Sequence, residues 1–187
     1  IDAAVGRGGG VRVPPRMGLG RVQLDGAEAL DLLLSLAIAE RLHSPLLLST
    51  VRSLRQKLAT AFPPEERARL SALRRRVLVG PTSRNIAASW KPPRPSVLEP
   101  IHEAFFEQRS LAITYITGDA RTVREVEPHY LLLSWPAWYL LVWDHLRGAV
   151  RALRVDRIEA ARVSTRTFRV RSVDTMRGAL PELFGAL

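Results

Sequence analysis

The stretch that decides the fold is WPAWYLLVWDHLRGAVRALRVDRI, which runs from Trp135 to Ile158. Two of its segments, AWYLLVWDH and AVRALRV, are short apolar runs separated by LRG, a typical turn sequence. Short apolar runs bounded by turn residues predict buried strands. The stretch opens with three of the four tryptophans and closes with Arg151, Arg154 and Arg157.

A helix is the alternative for the second half of this stretch. Leu146, Val150 and Leu153 recur at helical spacing, and Asp144 could cap such a helix. Gly148 would lie inside it, where glycine costs about 1 kcal/mol relative to alanine. Periodicity therefore favours strands here without excluding a helix.

Three neighbouring segments also have the period of a strand: LAITYIT at 111–117, RTVREVEPHYLLLS at 121–134 and EAARVSTRTFRV at 159–170. Pro128 in the second predicts a bulge or an edge position, because proline cannot donate to a strand ladder. A helix, SVLEPIHEAFFEQRS, precedes them, with Ser96 as its N-cap and Glu99 completing a capping box. One helix followed by five short strands predicts an α+β fold with a small, strongly bent β-barrel.

The preceding part of the chain is predicted to be helical between residues 25 and 74. Apolar residues recur there at helical spacing, with breaks at HSP and FPPEE. A short strand, RRRVLVG, follows with a basic lead-in that is most simply a solvated face. The proline-rich segment 81–95 marks a boundary, and a short helix, DTMRGAL, is predicted in the tail.

Composition narrows the possible functions. The chain has 187 residues and a net charge of +10, carried almost wholly by arginine, which favours polyanionic partners. It has no cysteine, which excludes disulfides, zinc fingers and thiolate nucleophiles. The four histidines lack metal-ligand spacing with carboxylates, and neither a catalytic triad nor a phosphate-binding glycine loop is present. We therefore expect a non-enzyme without a cofactor or a bound metal, and no membrane span.

An ordered set of residues resembles the signature of the WYL domain. Its first part is Tyr115, Arg124, Pro128 and His129, and its second part is Trp138, Tyr139, Leu140, Arg151, Arg154, Asp156, Arg157 and Ile158. Leu153 is a departure, because an aromatic residue is usual there. The resemblance covers about residues 96–170 and favours strands over a helix in the opening stretch.

The resemblance implies an Sm-like five-stranded barrel that binds a nucleic-acid fragment or a nucleotide-type anionic effector. GRGGGVRV is similar to the wing of a winged helix-turn-helix in this family, although a simple hairpin is the local alternative. The implied organisation is a wing remnant and linker at 1–22, a helical linker and dimerisation region at 23–95, the WYL domain at 96–172 and a tail at 173–187. We expect a cytoplasmic, homodimeric bacterial transcriptional regulator whose DNA-reading helices lie upstream and bind operator DNA.

The candidate ligand-binding residues are Arg124, His129, Tyr139, Arg151, Arg154 and Arg157. Guanidinium groups match phosphate oxygens, and a tyrosine can stack on a base, which contributes ~1–3 kcal/mol in single-strand binders. The candidate structural residues are Trp138, Leu140, Asp156 and Ile158.

Each candidate also has a plainer interpretation, which for Tyr139 is surface packing. Arg157 could pair with Asp156 or Glu159, Arg124 could pair with Glu125 or Glu127, and His129 could be a packed core residue. Arg151 and Arg154 are three apart, so they share a face only if a bulge lies between them. A functional alternative is a constitutive oligomerisation module that binds no small ligand.

Overall fold

The computed structural model describes residues 64–82, 86 and 89–180. It also describes isolated positions nearer the N-terminus, namely 2, 3, 11, 12, 24, 28, 31, 32, 35, 36, 53, 56 and 57. The chain divides into two compact units, residues 1–32 and 33–187. In the first unit, strands β1 (Asp2–Ala3) and β2 (Val11–Arg12) pair antiparallel. The described positions between 28 and 57 have helical backbone, and the rest of the predicted linker helices up to residue 63 lie outside the described residues.

Between residues 64 and 180, the described part of the second unit contains three α-helices and one mixed sheet. The helices are α1 (Pro64–Arg75), α2 (Pro95–Glu107) and α3 (Val173–Ala179). The strands are β3 (Val77–Val79), β4 (Arg109–Thr117), β5 (Ala120–Ser134), β6 (Ala137–Asp144), β7 (Ala149–Arg154) and β8 (Ile158–Thr167). The predicted α+β class is confirmed.

The sheet has the order β7-β6-β5-β4-β8, and β3 pairs parallel with β5. All five strands predicted from period two are present and pair antiparallel. The described sheet has six strands rather than five and is not closed, because β7 and β8 end the series without pairing with each other. The sixth strand, β3, was predicted as a strand but not as a member of this sheet.

The 15-residue strand β5 contains the irregularity that Pro128 predicted. Its pairing with β6 passes from Pro128 opposite Val142 to Tyr130 opposite Leu141, so His129 is the extra residue of a bulge. After the bulge, residues 131–133 of β5 pair with β3 on one side and with β6 on the other.

The stretch from Trp135 to Ile158 forms strands, and the helical alternative for its second half is wrong. Strand β6 ends at Asp144 and β7 begins at Ala149. Gly148 has φ +58°, a left-handed conformation that fits the turn between them. Cross-strand pairs run without interruption from Asp144 opposite Ala149 to Tyr139 opposite Arg154.

Helix α2 begins two residues earlier than an N-cap at Ser96 predicts. Arg94 is the N-cap residue, Pro95 occupies the first turn, and no side chain caps the helix. The fixed φ of proline suits the first helical position, so Pro95 rather than Ser96 determines the start. The predicted capping by Ser96 and Glu99 is therefore wrong. The helix buries Val97, Ile101, Ala104 and Phe105, as its amphipathic pattern requires.

Arg76 connects α1, α2 and the bulge of β5. Its side chain is buried, and its Nε, Nη1 and Nη2 donate to the carbonyl oxygens of His129, Phe105 and Pro128 at 2.8, 2.7 and 2.7 Å. Its own carbonyl oxygen accepts from the backbone N–H of Leu131. The interpretation of residues 74–76 as a solvated face is therefore wrong for Arg76.

Candidate functional site

Strand pairing separates the predicted arginines onto two faces of the sheet. Arg151 lies opposite Val142, whereas Arg154 lies opposite Tyr139. No register shift falls between them, so alternation directs their side chains to opposite faces. Arg151 is exposed and Arg154 is buried.

The guanidinium of Arg154 forms a fork with Asp156. Its Nε and Nη2 donate to the Asp156 carboxylate oxygens at 3.0 and 2.6 Å, while Nη1 and Nη2 also donate to Ser89. This hydrogen bond to Asp156 raises the pKa of Arg154. Burial opposes ionisation of Asp156, but the donors of Arg154 and the Lys91 N–H outweigh it and leave the pKa of Asp156 lowered. Arg154 thus connects Ser89 to the sheet by hydrogen bonds. The charge of Arg154 is already neutralised by Asp156.

Tyr139 packs into a hydrophobic cluster on the same face as Arg154. Its neighbours in this cluster are Tyr130, Leu132, Ala137, Leu141, Met176 and Leu180. Only 7% of the residue is exposed, and burial raises the pKa of its hydroxyl. Its ring therefore offers little free surface on which a base could stack.

Arg157 follows β7 in a short 3-10 turn and remains partly exposed. Both of its predicted carboxylate partners are engaged elsewhere: Asp156 by Arg154, and Glu159 by Arg121 at 2.6 Å. Within the described part of the chain, Arg157 has no ion pair. It lies close enough to Tyr139 to oppose the rise in the pKa of that hydroxyl.

Arg124 is paired inside the sheet. Its Nη1 lies 2.6 Å from Oδ2 of Asp144, a residue with no exposed surface, and its Nε donates to Thr122. Its guanidinium also lies 5.7 Å from the ring centroid of Tyr115. The predicted partners Glu125 and Glu127 are wrong. They lie one and three positions after Arg124 on the same strand, and alternation directs residues at odd spacing to the other face.

His129 is a core residue. It is fully buried, its ring contacts Phe168 edge-on, and its Nδ1 accepts from the backbone N–H of Arg171 at 3.3 Å. The proton of the neutral ring is therefore on Nε2, which lies 3.4 Å from Glu127 without forming a hydrogen bond. Burial, reinforced by Arg171 and Arg76, lowers the pKa of His129 to about 3.

This lowered pKa predicts an acid-sensitive fold. Between pH 6.5 and about 3 the unfolded His129 binds a proton that the folded residue does not, so stability falls as the pH falls through this window. The contribution amounts to about 1.4 kcal/mol per pH unit. Urea unfolding from pH 6 to pH 4.5 should give a shallower pH dependence for His129→Asn than for the unsubstituted chain. Identical slopes would contradict the assignment.

The structure does not gather the six candidates into one pocket. Arg154 and Tyr139 lie together and Arg157 follows in the next turn, but Arg124 and Arg151 lie on the other face and His129 is in the bulge. Curvature brings residues together only if they share a face, and strand alternation prevents this here.

The four structural candidates have distinct places. Leu140 and Ile158 are buried in the core, and Trp138 is half-buried. Asp156 is the ion-pair partner of Arg154.

The reasoning from sequence missed two polar residues that organise the site. Asp144 neutralises Arg124, and Ser89 holds Arg154 from the proline-rich segment. Alternation in AWYLLVWD could have placed Asp144 on the inner face, but no pattern in the sequence signals Ser89.

Of the predicted arginines, Arg151 and Arg157 remain accessible to a ligand, and both lie at the edge of the sheet formed by β7. Arg147, Arg151 and Arg157 lie along this edge, in the turn before β7, in the strand and in the turn after it. Arg147 and Arg151 are exposed, and none of the three has an ion pair with a described residue. The nearby carboxylates of Asp144 and Asp156 are neutralised by Arg124 and Arg154, so positive charge is in excess at this edge.

Comparisons with known proteins gave matches of two kinds. Residues 96–163 match the family model of the WYL domain, so a WYL domain is present in the chain. The chain is also similar to the solved structure of proteasome accessory factor B/C (PafBC) of Arthrobacter aurescens. That match has 26% identity and a TM-score of 0.37, and it covers 78% of this chain but only 21% of that one.

Within the described ranges, no group of three or more His, Asp or Glu side chains is arranged to hold a metal ion. No helix among the same residues has the length and apolar character needed to cross a membrane.

Proposed function

We propose that this chain is the ligand-sensing part of a bacterial transcriptional regulator and has a binding rather than a catalytic role. The observation that carries the proposal is the WYL domain at residues 96–163 with an edge of unpaired arginines on it. In this proposal the chain forms a homodimer through the helical region before α1. Operator DNA is bound by a winged helix-turn-helix elsewhere in the full protein.

We infer that the effector is a single-stranded nucleic acid that lies along the β7 edge. A strand rises about 3.3 Å per residue, so Arg151 and the end of β7 beside Arg157 are about 10 Å apart. One phosphate group cannot span that distance, whereas successive phosphates of an oligonucleotide can. The effector would need to favour one arrangement of the dimer by ~1–3 kcal/mol to act as a signal.

Two double variants that each remove two positive charges test this interface. A short fluorescein-labelled oligothymidylate should bind the chain in a salt-dependent manner. The variant Arg151→Gln/Arg157→Gln should bind about tenfold more weakly and lower the salt slope by about 1.4, the value for two lost phosphate contacts. The control, Arg162→Gln/Arg166→Gln, removes two exposed charges from β8 and should bind nearly as well as the original chain.

Equal weakening in the two variants would mean that net charge alone attracts the oligonucleotide, and the interface would be wrong. If the oligonucleotide does not bind and the dimer dissociates with salt, the chain is better described as a constitutive interaction module.

A further inference from the structure

A cleft of about 320 Å³ lies at the junction of α1, the end of α2 and the bulge of β5. Part of its wall is apolar and is formed by Ala72, Phe106, Tyr130 and Val170. Ligand sites in proteins begin at about this volume and combine an apolar wall with a few polar groups. The cleft is separate from the β7 edge described above.

The polar residues that line the cleft are Arg75, Arg76 and Gln108. Arg76 uses three of its five N–H donors on neutral carbonyl groups, which leaves two. No carboxylate of a described residue lies within ion-pair distance of either arginine. Burial lowers the pKa of Arg76 to about 10, so it is still charged at neutral pH. A buried charge without a counter-charge is costly, and an anion in the cleft would supply one.

We propose that this cleft binds a small organic anion in which a carboxylate or phosphate group is joined to a planar apolar body. The anionic group takes the free donors of Arg75 and Arg76, and the planar body lies against Phe106 and Tyr130. Because α1 and the sheet both contribute to the walls, the bound anion contacts the helical region and the WYL domain together.

Three probes test the chemistry of this site: phenyl phosphate, benzoate and the uncharged benzamide. Calorimetric titration into the 187-residue chain should detect binding of phenyl phosphate, benzoate or both, and the stronger of the two identifies the preferred anionic group. Benzamide should bind at least tenfold more weakly. Equal binding of benzamide and benzoate, or no binding of either anion at about 10 mM, would overturn the proposal.

Three variants test its location. Ala72→Phe fills the cleft from an exposed helix position and should weaken binding at least tenfold. Arg75→Gln removes one guanidinium and should weaken binding about three- to tenfold. Arg166→Gln removes the same charge from β8 and should change affinity less than twofold. Circular dichroism establishes that each variant is folded, and undiminished binding by Ala72→Phe would exclude the cleft.

The β7-edge variant separates this inference from the proposed function. Arg151→Gln/Arg157→Gln should bind the small anions as well as the original chain does. If that variant loses them while Ala72→Phe retains them, the anions bind at the β7 edge and the cleft assignment is wrong.

Discussion

Replacing Arg76 with methionine should destabilise the fold by roughly 3–5 kcal/mol, a large part of the 5–15 kcal/mol available to a typical domain. Methionine keeps much of the side-chain volume but has no donors. The carbonyl groups of Phe105, Pro128 and His129 would each lose a hydrogen bond of 2.7–2.8 Å within the protein interior. An orphaned buried acceptor costs about 1–3 kcal/mol. The contact between the guanidinium and the Phe105 ring, 3.9 Å from the ring centroid, would also be lost.

Equilibrium unfolding in urea measures this effect directly. Arg75→Met is the matched control, because Arg75 is the preceding residue, is exposed, and makes its hydrogen bond to Ser71 four residues away on the same helix. That control should change stability by no more than about 0.5 kcal/mol. If Arg76→Met and Arg75→Met cost the same, Arg76 does not hold the junction together.

The sequence alone does not reveal this role of Arg76. Residues 74–76 are three consecutive arginines, and a local pattern cannot separate the exposed first two from the buried third. The side-chain partners of Arg76 lie 29, 52 and 53 residues away, and they are in place only once α2 and the bulge of β5 have formed. Helical spacing and proline positions predicted α1, α2 and the bulge, but not the contact between them.

The strands, in contrast, were predictable from the sequence, because the alternation of apolar and polar residues is a local property. The same alternation decided that Arg151 and Arg154 face opposite ways, and no bulge between them changes this. The residues of the WYL signature therefore indicated the presence of that domain and an excess of positive charge on it. The choice of ionic partners depends on register across strands, which the sequence does not show. Asp156 pairs with Arg154 instead of its neighbour Arg157, and Glu159 pairs with Arg94 and Arg121.

The pair formed by Arg124 and Asp144 is the second place where a large effect is expected. Its side chains are 10% and 0% exposed, so Arg124→Met would leave a buried carboxylate without its cation. Breaking a buried pair from one side costs about 3–5 kcal/mol. The bond from the Leu146 N–H to Asp144 Oδ1 would remain, but it carries no compensating charge. The double variant Arg124→Met/Asp144→Leu should recover much of the loss, because it removes both charges and leaves apolar groups that can pack together.

A second ion pair, between Arg121 on the same strand as Arg124 and Glu159 on β8, isolates the effect of burial. Arg121 and Glu159 are also 2.6 Å apart, but the Arg121 side chain is 69% exposed. Because water screens such a pair, Arg121→Met should cost about 0–1 kcal/mol by the same urea titration. The two substitutions have the same chemistry and differ in the environment of the charge, so their difference measures the cost of leaving Asp144 buried and unpaired. If Arg124→Met is no more harmful than Arg121→Met, the inner pair is screened by solvent. Arg124 would then be as available to an anionic ligand as the arginines of the β7 edge.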